Sequence, residues 1–332
     1  MGVIGILTNS CKKDDNIPMA QIPELTTSAV VNISQTTADC GGNITSDGGA
    51  KVIYHGVCWS INQMPTTTDS NRIAWTSVEI FTNNIAGLKA NTTYYVRAFA
   101  INSAGTGYGN EVSFTTLEEE TLTDIEGNVY QTITLGTQVW MAENLKTTKY
   151  RDGTSIPNVT DKFAWRDLST DAYCDYDNTP SNSDTYGRLY NWYAVTNSHN
   201  ICPTGWHVPS LDEWETLDIY AGRTTDGERH KAGGRLKETD TTHWEFPNTE
   251  ASNESGFTGL PGGLRGWING TFFNIGSNAY WWLASEVDSY WLPESERTYT
   301  DAWIRYLSFD SGSIGSNSAN KKNGYSVRCV RD

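Results

Sequence analysis

Cys202-Pro-Thr-Gly-Trp206-His-Val-Pro209-Ser210-Leu-Asp-Glu213-Trp214 is the stretch on which the fold turns. Ser210 followed three residues later by Glu213 forms a capping box, in which each side chain satisfies an orphan backbone N–H of the other residue. Leu211, Trp214 and Leu217 then fall on one helical face, and Gly222 supplies the stop. The pattern predicts a helix opening just after Ser210. Much of the remainder of 118–332 is Gly, Asn and Ser with scattered aromatics. That composition predicts short strands and long ordered loops, an α+β domain with few helices.

Upstream, over 22–117, the apolar period changes to two. Tyr94, Val96, Ala98 and Ala100 alternate with Tyr95, Arg97, Phe99 and Ile101, which is the signature of a strand. Further strands are predicted at 29–33, 37–44, 52–60 and 111–116, with a turn at 102–105. Asp47-Gly48-Gly49 reads as a hairpin between the strands at 37–44 and 52–60, because glycine supplies positive φ. An all-β sandwich is therefore expected here, ahead of the α+β domain. The segment 118–123, opening on three consecutive Glu, is expected to be a linker that few contacts cross.

The composition narrows the function. A net charge of −15 argues against nucleic-acid binding, which needs a basic face. The charge is uneven. Residues 21–117 carry four basic and six acidic groups, net −2, and 118–332 carry 18 and 31, net −13. Of the 13 Trp, eleven lie in 118–332, and such side chains serve wet, half-buried surfaces as well as cores. No apolar run reaches the roughly 18 residues of a spanning helix. Six cysteines without a C-x-x-C pair make neither a disulfide scaffold nor a zinc site. Cys40 and Cys58 fall in predicted strands, either as a disulfide or as two buried thiols.

Several resemblances add to this. Leu88-Lys-Ala-Asn-Thr92-Thr-Tyr94 resembles the tyrosine corner of fibronectin type III domains, with Ala90 where Pro is usual. Such domains usually act as spacers. Downstream, six motifs occur in order: Gln138-Val-Trp140-Met-Ala-Glu-Asn144-Leu145, Tyr186-Gly-Arg-Leu-Tyr-Asn-Trp192-Tyr, Cys202-Pro-Thr-Gly-Trp206-His-Val-Pro209, Gly256-Phe-Thr-Gly-Leu-Pro-Gly-Gly263, Tyr280-Trp-Trp282 with Ser285-Glu286, and Ser326-Val-Arg328-Cys329-Val330. Together they resemble the Fibrobacter succinogenes major paralogous domain over 124–332, a family of bacterial surface proteins without a settled activity. The run from Gly205 to Trp214 and the ending Val327-Arg-Cys-Val330 also resemble formylglycine-generating-enzyme and C-type-lectin-like folds. The lectin-like resemblance implies a disulfide between Cys202 and Cys329, with Cys174 as the alternative partner of either.

The N-terminus, Ile4-Gly-Ile-Leu-Thr-Asn-Ser-Cys11-Lys-Lys-Asp-Asp15, resembles the end of a lipoprotein signal peptide followed by the export signal of Bacteroidetes surface lipoproteins. The resemblance implies acylation of Cys11, a tether up to residue 21, and an outer-membrane location facing the cell exterior. Acyl chains contribute about 0.8 kcal/mol per buried CH₂, enough in multiples to anchor a soluble domain.

No catalytic constellation emerges. His55, His199, His207, His230 and His243 share no metal-ligand spacing, and His207 is expected to be packed or bonded to backbone. A formylglycine-generating enzyme needs a reactive cysteine pair near its end, and only Cys329 is present. Asp175-Tyr-Asp177-Asn178 with Asp184 fails the EF-hand pattern at Pro180 and Tyr186, so it is expected to be a solvated acidic loop, with a non-EF-hand calcium site as the lesser alternative. No cofactor is expected. The predicted function is a non-enzymatic surface lipoprotein whose C-terminal domain binds or scaffolds, with glycans or partner outer-membrane proteins as its targets. A structural adhesin subunit and a glycan-active enzyme are the rivals. Aromatic platforms beside polar groups suit sugars. Most aromatics of 265–297 are expected to be core; Trp282 is expected to be a buried strand residue, with Trp281 facing the other way by alternation. Trp267, Tyr290, Trp291 and Arg297 are expected to be exposed and are the predicted ligand-binding residues.

Overall fold

The computed structural model describes residues 19–74, 79–118, 120–222, 231–287 and 300–332. The predicted lipidation site Cys11 and three of the four predicted ligand residues, Tyr290, Trp291 and Arg297, lie outside the described residues. The chain divides into two compact units. The first takes the residues up to Val30, Cys40–Asn83 and Tyr94–Phe114; the second takes Val31–Asp39, Asn84–Thr93 and Thr115–Asp332.

The N-terminal strands form two sheets. Glu24–Thr27, Ala38–Ser46 and Ile80–Ile85 make one, in that spatial order. Ser70–Ile73, Tyr54–Ser60, Thr93–Asn102 and Gly105–Tyr108 make the other, and Val112–Thr115 also pairs with Thr93–Asn102. Alternation sets which side chains turn inward: Phe81, Asn83 and Ile85 are buried while their neighbours are exposed. Val57, Val96, Ala98 and Ala100 are fully buried, and Tyr94 stacks on Phe114. Burying a Val or Leu is worth roughly 1.5–3 kcal/mol each, so this small apolar set carries the sandwich.

Two expectations are corrected here. Asp47-Gly48-Gly49 does not close a hairpin. The strands on either side of it belong to different sheets, so the glycines, both at positive φ, turn a corner between sheets. The first strand is Glu24–Thr27 rather than 29–33, because Leu25 and Thr27 alternate inward while Val31 is exposed and makes a single bridge to Asp39.

In the second unit Trp206–His207, Val330–Arg331, Gln138–Met141, Val129–Leu135 and Thr121–Thr123 form a five-stranded sheet in that order. The expected linker is thus partly structural: Thr121–Thr123 is its edge strand, and the Glu120 carbonyl accepts from the N–H and hydroxyl of Thr132. Asn278–Glu286, Asp301–Ser308 and Gly315–Asn320 form a three-stranded sheet, and Gly262–Arg265 with Phe272–Ile275 a two-stranded hairpin. The helix Leu211–Tyr220 carries its capping box, with Ser210 N donating to Glu213 at 2.8 Å and Glu213 N to Ser210 at 3.3 Å. Gly222, at φ +97°, follows its C-cap Ala221.

Apolar side chains pack on both sides of the strand Asn278–Glu286. Trp282 joins Trp192, Trp206 and Tyr190 in one cluster, and Trp281 joins Trp140, Trp214, Trp244 and Phe257 in another. Trp281 faces the other way, as alternation predicts, and is core as well. Its facing the opposite way places it in a second core instead of in water.

Long loops leave carbonyls without ladder partners, and buried carbonyls need donors. Buried cations supply them. Lys237 Nζ donates to the carbonyls of Thr249, Ser308 and Ser311 at 2.8, 3.0 and 3.0 Å. Arg265 donates to Gly270, Val159 and Thr160. Arg328 donates to Phe257 O and Asn144 Oδ1, and burial pushes its guanidinium down to about 9.

Candidate functional site

The hairpin Gly262–Arg265/Phe272–Ile275 presents its turn between two neighbours. Arg265 and Gly324 exchange backbone hydrogen bonds at 2.9 and 2.8 Å. Asn323 Oδ1 accepts from Trp267 N at 3.0 Å. Beneath the turn, the buried Arg265 guanidinium lies 4.5 Å from the Trp165 ring centre and 4.9 Å from that of Phe272. On the other side sits the short helix Lys162–Arg166, capped by Asp161, whose Oδ1 accepts from Phe163 N and Ala164 N. The contact is close: a Cβ on Gly270, at φ +65°, would stand 2.2 Å from Lys162 O. Only glycine fits there.

Several large apolar side chains of these segments are exposed. Trp267 is 39% exposed, Phe273 44%, Phe163 56% and Ile268 69%. Asn269 Oδ1 accepts from the N–H and hydroxyl of Thr271, which fixes the tip of the turn. Exposed apolar patches rimmed by polar groups mark interaction surfaces. The sequence carries a matching signal. From Ser255 to Ser285 there is no Asp or Glu, although the whole chain has 39, and the single cation of that stretch is the buried Arg265.

Trp267 is the predicted ligand residue that this face contains. Phe163, Lys162 and Lys322 were not foreseen. They come from segments about 100 and 55 positions away in sequence and are brought to the turn by tertiary packing, in which Trp165 Nε1 donates to Lys322 O at 3.0 Å.

Electrostatics on the rim are local. Arg166 forks onto Asp167 at 2.8 and 2.9 Å and holds that carboxyl below its ordinary range. Lys162 Nζ sits 4.9 Å from the Phe163 ring centre, and Lys322 Nζ lies 3.4 Å from Arg166 O.

Other polar groups are accounted for differently. His207 is not packed or backbone-bonded as expected. Its Nε2 meets Glu213 at 2.7 Å and its Nδ1 meets Asp332 at 2.6 Å, on a half-exposed ring. Asp175 is not a solvated loop carboxylate; it is buried and paired with Arg188 at 2.7 Å. Cys202 and Cys329 are joined by a disulfide, with Cα atoms 6.1 Å apart. Cys174 is buried, which pushes its thiol up to about 12. Cys40 and Cys58 are both buried thiols; Cys40 donates to Ser28 O at 3.4 Å. A concavity of about 1000 Å³ lies on the first unit between Ile44, Lys51, Tyr54, His55, Ile73 and Glu79. His55 Nε2 is buried there with no hydrogen-bond partner among the described residues.

Residues 133–331 match the Fibrobacter succinogenes major domain. That span exceeds half of the chain, and the chain belongs to this family. Among solved structures the chain is similar to the FN1–FN3 domains of chicken CNTN1, at 17% identity over 30% of this chain and 33% of that one, with TM-score 0.25. It is also similar to the sensor domain of the anti-sigma factor RsgI4 in Pseudobacteroides cellulosolvens, at 18% identity over 29% and 76%, TM-score 0.23. A fibronectin type III domain from the human KIAA0970 protein gives 14% identity over 28% and 73%, TM-score 0.22. The chain spans about a third of the CNTN1 structure it matches. Comparison with curated proteins gives no match.

Proposed function

We propose that this chain is a non-enzymatic, lipid-anchored protein on the exterior of the outer membrane. Its sandwich is a spacer, and its C-terminal domain, of C-type-lectin-like fold, binds glycan at the Trp267 face. The observation that carries the reading is the exposure of Trp267 and Phe273 within Ser255–Ser285, a stretch free of acidic residues. Sugars present C–H faces that stack on such rings and hydroxyls that meet the neighbouring amides. The lectin-like assignment draws support from the pairing of Gln138–Met141 with Val330–Arg331, which joins the two ends of the domain, and from the disulfide beside it.

A glycan array probed with the full chain and with Trp267→Ala tests the reading. Binding by the parent and its loss in a folded variant are expected. If no glycan binds, the domain is a structural adhesin or a scaffold for partner outer-membrane proteins. Turnover of a bound polysaccharide would make it an enzyme instead. The anchor is tested separately: Cys11→Ala should release soluble protein, and the parent should carry an acyl mass on Cys11.

A further inference from the structure

We infer that the turn Val31–Asp39 is a working part of the second unit, a clasp that supplies hydrogen-bond partners to that unit's strand Val129–Leu135, its helix Leu211–Tyr220 and its loop at Ser255. The clasp lies outside the residues 133–331 that match the family, so it is a feature of this chain and not of the matched region.

The turn belongs to the second unit and is braced from within. Val31 and Asp39 exchange backbone hydrogen bonds at 2.9 and 2.8 Å. Ser34 Oγ accepts from the N–H of Thr37 at 2.9 Å and from that of Thr36 at 3.2 Å, which fixes the tip. Turn residues of this kind usually face water, yet Ser34, Gln35 and Thr37 are buried. Buried polar groups need partners.

Gln35 answers a donor left over by the sheet. Pairing of Val129–Leu135 with Thr121–Thr123 ends at Gln131, and Thr132 N then reaches Glu120 O at 2.9 Å. The N–H of Thr134 follows, and Gln35 Oε1 accepts it at 3.0 Å. Thr37 Oγ1 lies 3.2 Å from the hydroxyl oxygen of Tyr220, the last residue of the helix. Thr36 Oγ1 donates to Ser255 O at 3.4 Å. The next residue, Gly256, has φ +76°, and a Cβ there would stand 3.1 Å from Thr36 Oγ1. Three consecutive side chains thus reach a strand, a helix and a loop that are distant in sequence. Leaving one such buried group unmet shifts a folding equilibrium roughly tenfold.

The test is urea unfolding of the full chain followed by Trp fluorescence. That signal reports on the second unit, because eleven of the 13 Trp lie in 118–332. Gln35→Ala combined with Thr37→Val is expected to weaken this transition's folding equilibrium about tenfold or more, and to speed hydrogen exchange at the Thr134 amide. The control is Thr27→Val, which removes the acceptor of Ala98 N inside the first unit. It is expected to shift the Trp transition less. An equal shift in both variants means that the turn acts only through the sandwich, and overturns the inference. So does an unmoved transition with Thr134 still protected. Thr37→Val and Tyr220→Phe, singly and together, repeat the test with milder changes should the double variant fail to fold. Their combined effect is expected to fall short of the sum of the two, and strict additivity overturns the clasp.

Discussion

Trp281 and Trp282 are neighbours in one strand, yet they sit in different cores, each essentially without solvent exposure. Trp281 Nε1 donates to Asn144 Oδ1 at 2.8 Å, and Trp282 Nε1 to Tyr190 O at 2.8 Å. The strand is thus a partition with packed aromatics on both faces, and its two indoles do separate work. Trp281→Ala and Trp282→Ala should each cost roughly 3–5 kcal/mol, from lost burial plus the cavity left behind. Trp281→Phe should cost less in volume but remove one of the two hydrogen bonds to Asn144 Oδ1, leaving the one from Arg328 Nε. Urea unfolding of the three variants checks this. A loss below about 1 kcal/mol in either alanine variant would place that indole outside a packed core.

His207 between Glu213 and Asp332 sets a pH window. Burial works against the charged ring, but hydrogen bonds to Asp332 and Glu213 outweigh it and raise its pKa above 6.5. A raised histidine contributes stability that is complete below 6.5 and is lost as pH rises through the folded value. For Glu213, burial is outweighed by hydrogen bonds from Ser210 and His207, and its pKa falls below 4.5. Its contribution is complete above 4.5 and is lost as pH falls through the folded value. The pair is therefore strongest between these limits. Thermal melts should show His207→Gln losing stability relative to the parent near pH 5.5 and converging with it at alkaline pH. A constant difference across the range would contradict the ion-pair role.

The Cys202–Cys329 bond closes a span of 127 residues. In the chain-entropy account such a loop contributes on the order of 4–5 kcal/mol, often less in practice. Non-reducing peptide mapping should recover this pair. Cys174 should resist alkylation in the folded protein, since burial keeps its thiol protonated. Cys202→Ala should lower the melting temperature, and unmodified thiols at both positions in protein from an oxidising compartment would refute the bond.

Lys237 holds three loop carbonyls with one fully buried ammonium. Burial pushes its pKa down to about 8. The folded protein then sheds this proton more readily than the unfolded chain, so the cost of burying the charge is present below 8 and is relieved as pH rises toward 10.5. Lys237→Met removes that cost but takes the ammonium from three carbonyls, of which Ser308 O keeps the Ser311 N–H; an unsatisfied buried carbonyl costs about 1–3 kcal/mol. A net loss is expected at neutral pH, growing as the solution is made alkaline, because the parent gains there and the variant does not. Urea midpoints at two pH values decide it.

Much of the local structure was legible in the sequence. The capping box at Ser210 and the alternation through Tyr94 announce themselves within ten residues. The strands Ser70–Ile73, Ile80–Ile85 and Gly105–Tyr108 did not, being rich in Asn, Ser and Gly, which fit the pleat poorly. Asp47-Gly48-Gly49 misled because a glycine turn has the same local chemistry whether it closes a hairpin or changes sheet. Trp267 was found by its type, beside Asn269. Phe163 and the lysines were hidden, since nothing in Lys162–Arg166 itself says which surface it will meet. Trp281 shows the remaining limit: alternation gives the side of a strand, and only packing tells whether that side is wet.

The buried cations have a further consequence. Apart from the Asn144 side chain, each segment they secure offers a backbone carbonyl, a group that all twenty residue types possess. Substitutions within Thr249, Ser308, Ser311, Val159 or Thr160 therefore leave the anchorage intact so long as the carbonyl stays in place. The outer residues of such loops are free to drift while Lys237, Arg265 and Arg328 are not. A lineage that duplicates this domain inherits a rigid frame with rewritable surface text, and new specificities need only altered side chains on loops already fixed in position.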